Sequence, residues 1–344
     1  MLLVALAIVL WLGATAIKSV IRRGFSIEGK VVVITGAASG IGRRLARKIF
    51  REATDVTLAL LDIDMEALKQ LQTEFQSQNT KKRVLVYGCN VADNRVVEAT
   101  MTQVMEDVAP RHIGVLVNNA GIVVGKPLEQ LTPEQIQKTF AVNTLGHFWT
   151  VKAALPSMKR APEALLVTLS SVMGMTSSAG LTDYCASKAA VNAFHEACTL
   201  AQLTHYHWLL VVLLMGVGVC LVRLELWHDN VQSIRTLLVC PAAVDTGMFA
   251  GALAGIDWAL RISRFFIPVL RESDVVDAIY NSMRRGDELL VSCFTGWRGI
   301  VLSWAPVISR LLPVPLYDIV VRLGGGLNGM DTFVGKTLGK AKVK

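Results

Sequence analysis

Three glycines, Gly36, Gly40 and Gly42, stand between the apolar run Val31 to Thr35 and an amphipathic stretch, so the chain makes a tight strand-to-helix turn there. Without side chains, the backbone of such a turn can approach a diphosphate, and the following helix N-terminus faces its charge. An ordinary βα turn has the same look, so the motif needs company. The rest of the chain supplies part of it by repeating the same alternation. Short β-branched runs fall near Val56 to Leu61, Val84 to Tyr87, Val115 to Asn118, Leu165 to Ser170, Ile234 to Val239 and Glu288 to Val291, separated by longer amphipathic stretches. That pattern predicts an α/β fold with parallel strands joined by crossover helices. One helix has a legible start, with Thr132 as N-cap, Pro133 at the first position and Gln135 completing a capping box, and runs to about Met158. Another, from about Ser273, stops where Gly286 takes a left-handed turn.

Asp62 ends the second strand, twenty residues after Gly42. A carboxylate there accepts hydrogen bonds from an adenosine ribose and repels a 2′-phosphate, which favours NAD. A solvated turn aspartate is the plain alternative, and Arg43 and Arg44 keep NADP open. Further along come Asn118-Asn119-Ala120-Gly121, then Ser171, then Tyr184 four residues before Lys188. A phenol and an ammonium one helical turn apart share a helix face, and the ammonium is expected to draw the phenol pKa down towards the working range of a proton shuttle. Removing hydride from an alcohol carbon requires the hydroxyl proton to leave as well, and Tyr184 is suited to take it. A Tyr with Lys four later is common by chance, but the ordered set is not.

These motifs identify a resemblance to the short-chain dehydrogenase/reductase family over about Gly29 to Gly247. The resemblance implies a Rossmann-like, doubly wound parallel sheet of seven strands in the order 3-2-1-4-5-6-7. It implies catalytic roles for Asn143, which holds a water in the proton relay, Ser171, which binds the substrate oxygen, Tyr184 and Lys188. It assigns cofactor contacts to Gly36, Ser39, Gly40, Ile41, Gly42, Asp62, Asn90, Val91, Asn118, Ala120, Gly121, Tyr184, Lys188, Pro241, Val244 and Thr246. Asn90 stands where the family usually has an aspartate at the adenine, and Ala242 replaces the usual glycine. Narrower segments, Asn119 to Val123, His147-Phe148-Trp149, Asp183 to Lys188, Leu311 to Pro313 and Met330 to Phe333, resemble retinol and hydroxysteroid dehydrogenases of the endoplasmic reticulum and lipid droplet. Helix packing is an equal reading of His147 and Trp149.

Composition adds a membrane to this reading. Of 344 residues, 52% are hydrophobic, and mean hydropathy is +0.46, largely through Met1 to Ile17 and Trp208 to Val222. The first run lacks a basic residue before it and is followed by Lys18, Arg22 and Arg23, which predicts an anchor over residues 1 to 25 with a cytoplasmic C-terminal flank. A cleaved signal peptide, a shallow hairpin and an interfacial segment are its rivals. The net charge of +8 forms no arginine stripe interleaved with aromatics, so an anionic lipid surface fits it better than nucleic acid. Six cysteines without Cys-x-x-Cys spacing point to neither zinc nor disulfides, and His205 and His207 have no ligand company.

The domain expected is 29 to 295, with a basic amphipathic extension over 296 to 344. One segment breaks the pattern. Pro241 should arrive roughly 30 residues after Lys188, but arrives 53 residues on. The surplus lies in residues 202 to 222, inside what reads as one helix. A retained intron or gene-assignment error, an apolar hairpin dipping into a bilayer, and a helix extension at a subunit interface all remain open, as does a homodimer. The function expected is NAD-dependent interconversion of a lipophilic alcohol, such as a retinoid, a steroid or a long-chain alcohol, and its carbonyl compound. The rival is a lipid-surface scaffold that keeps the fold without the chemistry.

Overall fold

The computed structural model describes residues 24–77, 82–199, 233–249, 269–294 and 312–323, with Gly299 and Met330. Seven strands form one parallel sheet in the order β3-β2-β1-β4-β5-β6-β7. They are β1 (Lys30–Thr35), β2 (Val56–Asp62), β3 (Arg83–Gly88), β4 (Ile113–Asn118), β5 (Ala164–Leu169), β6 (Ile234–Pro241) and β7 (Leu289–Ser292). Each expected strand is present with its ends shifted by a residue or two, and the expected order holds.

Alternate residues of each strand enter different cores, because successive side chains leave opposite faces of the sheet. Val32 and Ile34 of β1 join Leu45 and Ile49 of α1 (Gly40–Glu52), Leu68 and Leu71 of α2 (Met65–Gln76), and Val275 and Ile279 of α7 (Glu272–Arg285). Val31 and Val33 face the other way. They pack with Val97 and Met101 of α3 (Asn94–Val108), Val151 and Ala154 of α5 (Gly146–Met158), and Phe194 of α6 (Thr182–Thr199). Helices thus cover both faces, which is why the strands read as continuous apolar runs.

Helix ends follow the local chemistry. Asp64 and Asp93 cap α2 and α3 through their carboxylates. Thr132 and Gln135 form the expected capping box at α4 (Pro133–Phe140), with Pro133 in its first turn. Gly286 closes α7 at φ +72°, as the sequence predicts. The long helix expected from Pro133 to Met158 is continuous but not uniform. Between α4 and α5, residues Ala141–Leu145 form a π-helical turn, and Asn143 sits at its centre. Such a turn is a local fault in the hydrogen-bond ladder, and sequence periodicity carries no sign of it.

The chain enters the domain at the amino edge of the sheet, where the Phe25 amide donates to the Arg284 carbonyl at 3.0 Å and the Gly29 amide to that of Asp55 at 2.8 Å. The apolar runs Met1 to Ile17 and Trp208 to Val222 lie outside the described residues, as do His205 and His207. Among the described residues, no helix is long and apolar enough to cross a membrane. An eighth helix among the described residues, α8 (Val314–Leu323), lies within the stretch expected as a C-terminal extension.

Two buried histidines between α5 and α6 carry a pH dependence. Burial holds His147 well below its ordinary value and pushes His195 down to about 3. An imidazole that is neutral when folded but protonates when unfolded contributes stability at neutral pH, and that stability is lost as pH falls below the unfolded value of about 6.5. For His195 the loss by pH 5 is about 2 kcal/mol. The thermal midpoint is therefore expected to drop between pH 7 and pH 5, and His195→Phe should shrink the drop. An equal acid loss in wild type and variant would remove His195 as its source.

Candidate active site

Asn119 holds the glycine turn from across the sheet. Its Nδ2 donates to the carbonyls of Thr35 and Gly36 at 2.9 and 3.0 Å, while Thr35 Oγ1 accepts from the amides of Asn119 and Ala120 at 3.0 and 3.1 Å. The loop after β4 is thereby fastened to the loop after β1. Gly36, at φ +65°, leaves no room for a side chain, since a Cβ there would lie 2.9 Å from Ala120 Cα. Ser39, Gly40, Ile41 and Gly42 open α1, and Ser39 makes no side-chain cap. Ser39 therefore leaves the first amides of α1 without a cap from its own side chain, and the first turn holds no acidic residue, although a Glu272 carboxylate oxygen lies 3.8 Å from where a Cβ on Gly40 would stand.

Asp62 ends β2 beside this turn. Its Oδ2 accepts from the Ala38 amide at 2.9 Å and its Oδ1 from the Asp64 amide at 3.1 Å, so the carboxylate also shapes the turn. The two arginines that kept NADP open separate in space. Arg44 is ion-paired with Glu272 at the start of α7. Arg43 faces α2, where its charge acts on Glu74. On the next loop, Asn90 accepts from the Ala92 amide at 3.2 Å, and Val91 is buried against Gly146. Pro241 ends β6, Val244 bridges to Leu270, and the Thr246 amide donates to the Val244 carbonyl at 2.7 Å.

Asn143, Ser171, Tyr184 and Lys188 converge at the carboxyl edge. Ser171 caps a short 3-10 turn, accepting from the Met173 amide at 3.1 Å, and its hydroxyl also hydrogen-bonds Tyr184. Lys188 Nζ lies 5.9 Å from the Tyr184 ring centre and donates to the Leu169 carbonyl at 2.9 Å. Asn143 is gripped on both sides by Ile122, accepting its amide at 2.8 Å and donating to its carbonyl at 2.9 Å, and donates to Ser187 Oγ at 3.1 Å. A Cβ on Gly121 would lie 3.5 Å from Asn143 Oδ1 and 3.7 Å from Lys188 Nζ, so that glycine keeps open the space both groups line.

The phenol of Tyr184 is raised by burial rather than lowered by Lys188 as the sequence leads one to expect. Desolvation pushes the phenol above its ordinary value, with the Ser171 hydrogen bond pulling the other way, and the same desolvation pushes Lys188 down to about 8. Both groups are nearly sealed from water. At neutral pH Lys188 still carries its proton, so its ammonium is the positive charge beside the phenol.

Two contributors escaped the sequence reading. Asn119 lies within the quoted Asn-Asn-Ala-Gly run, which was the available signal for it. Gly174 had none: its Cβ would meet the Lys188 carbonyl at 2.7 Å, so only a glycine lets the turn after Ser171 rest on the helix that carries Lys188. Beyond that turn, an open cleft of about 260 Å³ is lined by Met173, Met175, Thr176, Cys185, Ala189 and Tyr317. Tyr317 of α8 hydrogen-bonds Ser177 at 3.1 Å, tying the C-terminal extension to the segment between Ser171 and Tyr184.

Charge at Asp62 can be tested without removing its hold on the glycine turn. Asp62→Asn keeps the Ala38 amide bond through its one carbonyl oxygen and gives up the Asp64 bond; it removes the repulsion of a 2′-phosphate and is expected to move the NADP:NAD preference about tenfold towards NADP, or about 1.4 kcal/mol. Ratios of kcat/KM for the two cofactors measure this. A wild type that already prefers NADP would refute the assignment and point to Arg43.

The family profile described as short chain dehydrogenase matches residues 30–215. Epidermal retinol dehydrogenase 2 of Homo sapiens is 30% identical over 309 residues, 90% of this chain and 86% of that protein. Retinol dehydrogenase 10-B of Danio rerio is 35% identical over 244 residues, 66% of this chain. The match spans just under two thirds of the length of that protein, 64%. Among solved structures, an alcohol dehydrogenase from the archaeon Thermococcus sibiricus, complexed with 5-hydroxy-NADP, aligns with a TM-score of 0.58 at 25% identity, covering 76% of this chain and 95% of the other. A short chain dehydrogenase/reductase from Burkholderia phymatum in complex with NAD shares the fold, with a TM-score of 0.59 at 24% identity over 87% of this chain and 96% of that one.

Proposed function

The chain belongs to the short-chain dehydrogenase family, and from that premise we propose that it is a nicotinamide-dependent oxidoreductase that interconverts a lipophilic alcohol and its aldehyde or ketone at a membrane or lipid-droplet surface. The observation that carries the reading is the buried row of Ser171, Tyr184 and Lys188 beside the space kept open by Gly121. The N-terminus of α1, Asp62, Gly121 and Thr246 would hold the cofactor, with NAD favoured by Asp62. When bound, the nicotinamide exchanges a hydride with the alcohol carbon. Ser171 orients the alcohol oxygen, Tyr184 takes or returns its proton, and Lys188 supports the phenolate once the cationic ring adds its charge. Asn143 extends the proton path away from Lys188.

Retinoids, steroids and long-chain alcohols are the substrates proposed. The similarity to retinol dehydrogenases supports that class. Purified full-length protein should form NADH from NAD with all-trans-retinol, a hydroxysteroid or a long-chain alcohol in detergent or vesicles. No turnover above a Tyr184→Phe control across that panel would overturn the proposal.

The location proposed is the cytosolic face of the endoplasmic reticulum or the lipid droplet, with residues 1 to 25 as anchor. The described chain begins at the amino edge of the sheet, so an anchor there attaches on the side away from Tyr184. Six residues of β1 separate the two edges, about 20 Å. A second contact near the cleft beside Tyr317 is furnished by α8, whose Leu316 and Ile319 are about half exposed. The basic tail Lys336, Lys340, Lys342 and Lys344 adds attraction to anionic lipid. Protease protection of the catalytic domain in intact microsomes would contradict this orientation.

A further inference from the structure

Behind the catalytic row, three buried polar side chains come from neighbouring elements, Asn118 from β4, Thr168 from β5 and His147 from α5. Asn118 ends β4, and Thr168 is its register partner on β5, so their side chains leave neighbouring strands on the same face. That is the face α5 covers. Thr150 Oγ1 shares its one proton among Asn118 Oδ1 at 2.7 Å and the carbonyls of Gly146 and His147, one turn earlier on α5, at 2.8 and 3.2 Å. Asn118, Thr168 and His147 are 1%, 0% and 2% exposed, so bulk water does not reach them. Yet Asn118 Nδ2, Thr168 Oγ1 and both ring nitrogens of His147 have no hydrogen-bond partner among the described residues.

Buried polar groups in native proteins are hydrogen-bonded, because an unpaired one forfeits its hydration without return. This set offers complementary chemistry. The Asn118 amide donates, the threonine hydroxyl does either, and a neutral imidazole donates at one nitrogen and accepts at the other. A species that both donates and accepts, with a volume near that of a methyl group, satisfies all three, and water is that species. Lys188 reaches the same strand end, its Nζ donating to the carbonyl of Leu169, the residue after Thr168. The charge on Lys188 is also felt at His147.

We propose that Asn118, His147 and Thr168 form a closed site for ordered water behind Lys188, and that His147 is a positioning residue acting on Lys188 through it. The water supplies a dipole to an ammonium that is otherwise desolvated, and so favours its charged form. The charged or titratable groups that act on His147 are Lys188 and His195 of α6; Asn118 and Thr168, paired on the sheet, and Thr150, one turn along α5, are neutral. Lys188, already pushed down to about 8 by burial, would lose its proton at still lower pH if the site were dry. Support for the Tyr184 phenolate would then fail earlier on the alkaline side.

The kinetic part of the test rests on the dehydrogenase reading, and the crystallographic part does not. A crystal structure of the full chain, at a resolution that shows solvent, should hold ordered water within hydrogen-bond reach of all three side chains. His147→Leu and Thr168→Val should each move the alkaline limb of kcat/KM to lower pH, by about 0.5 to 1 unit, and His147→Asn should restore it. Thr168→Val carries the test should His147→Leu fail to fold. A dry site in the crystal, or unchanged pH profiles with only a lower Tm, overturns the proposal. Failure of wild type to turn over any alcohol would instead count against the proposed function, and the crystal would still decide the water site.

Discussion

Tyr184→Phe is expected to lower kcat by about 10²- to 10⁴-fold, the range a positioned acid–base group contributes, while leaving NADH binding nearly intact. The substitution removes one oxygen from a ring that is 4% exposed, so the packing around it changes little. What is lost is the hydroxyl that hydrogen-bonds Ser171 and lies on the same helix face as Lys188. Single-turnover kinetics and NADH fluorescence titration separate the two quantities. A variant that keeps more than a tenth of the wild-type rate would refute proton transfer through Tyr184. Lys188→Ala should behave differently and damage both quantities, because its Nζ also satisfies the buried carbonyl of Leu169.

How much of this was legible in the sequence depends on the range of the forces involved. The glycine turn, the capping box at Thr132, the stop at Gly286 and the order of the strands were all readable, since each follows from local backbone chemistry or from a repeated alternation. The π-helical turn at Asn143 was not. It exists where Asn143 bonds both backbone groups of Ile122 and the Ser187 hydroxyl, contacts made across 21 and 44 residues of chain. The same holds for the arginines after the glycine turn. Adjacent in sequence, they point to different helices, and only the fold reveals that Arg44 is committed to Glu272.

Charge was harder to read than geometry. A Tyr/Lys pair on one helix face suggests a lowered phenol pKa, but the suggestion assumes a solvent-like setting for both groups. Their burial reverses the sign at Tyr184 and lowers Lys188 instead. His147 shows the opposite lesson. Its sequence setting fits packing, and it is packed, with its ring edge-on to Phe194 at 6.4 Å. Yet both of its ring nitrogens are buried without a hydrogen-bond partner among the described residues, which no packing role explains.

Gly42→Ala tests the cofactor turn with the second large effect. A Cβ at Gly42 would lie 2.2 Å from the Gly36 carbonyl oxygen and 2.6 Å from Asn119 Nδ2. Neither is the free end of a flexible side chain: the carbonyl is backbone, and the amide is held by two hydrogen bonds. Relief therefore requires α1 to back away from the turn or Asn119 to release it. Overpacking costs about 1 to 3 kcal/mol and each lost hydrogen bond about 1 kcal/mol, so a total of about 3 to 5 kcal/mol is expected. Cofactor affinity should fall with it, because the amides that open α1 move with the helix. Gly247→Ala is the matched control, since a Cβ there meets nothing within 4 Å among the described residues, and its stability should stay within about 0.5 kcal/mol of wild type. Urea midpoints at constant m and NADH titrations read both effects. Wild-type values for Gly42→Ala would mean that the turn yields without cost, and that its glycines are not what positions the cofactor.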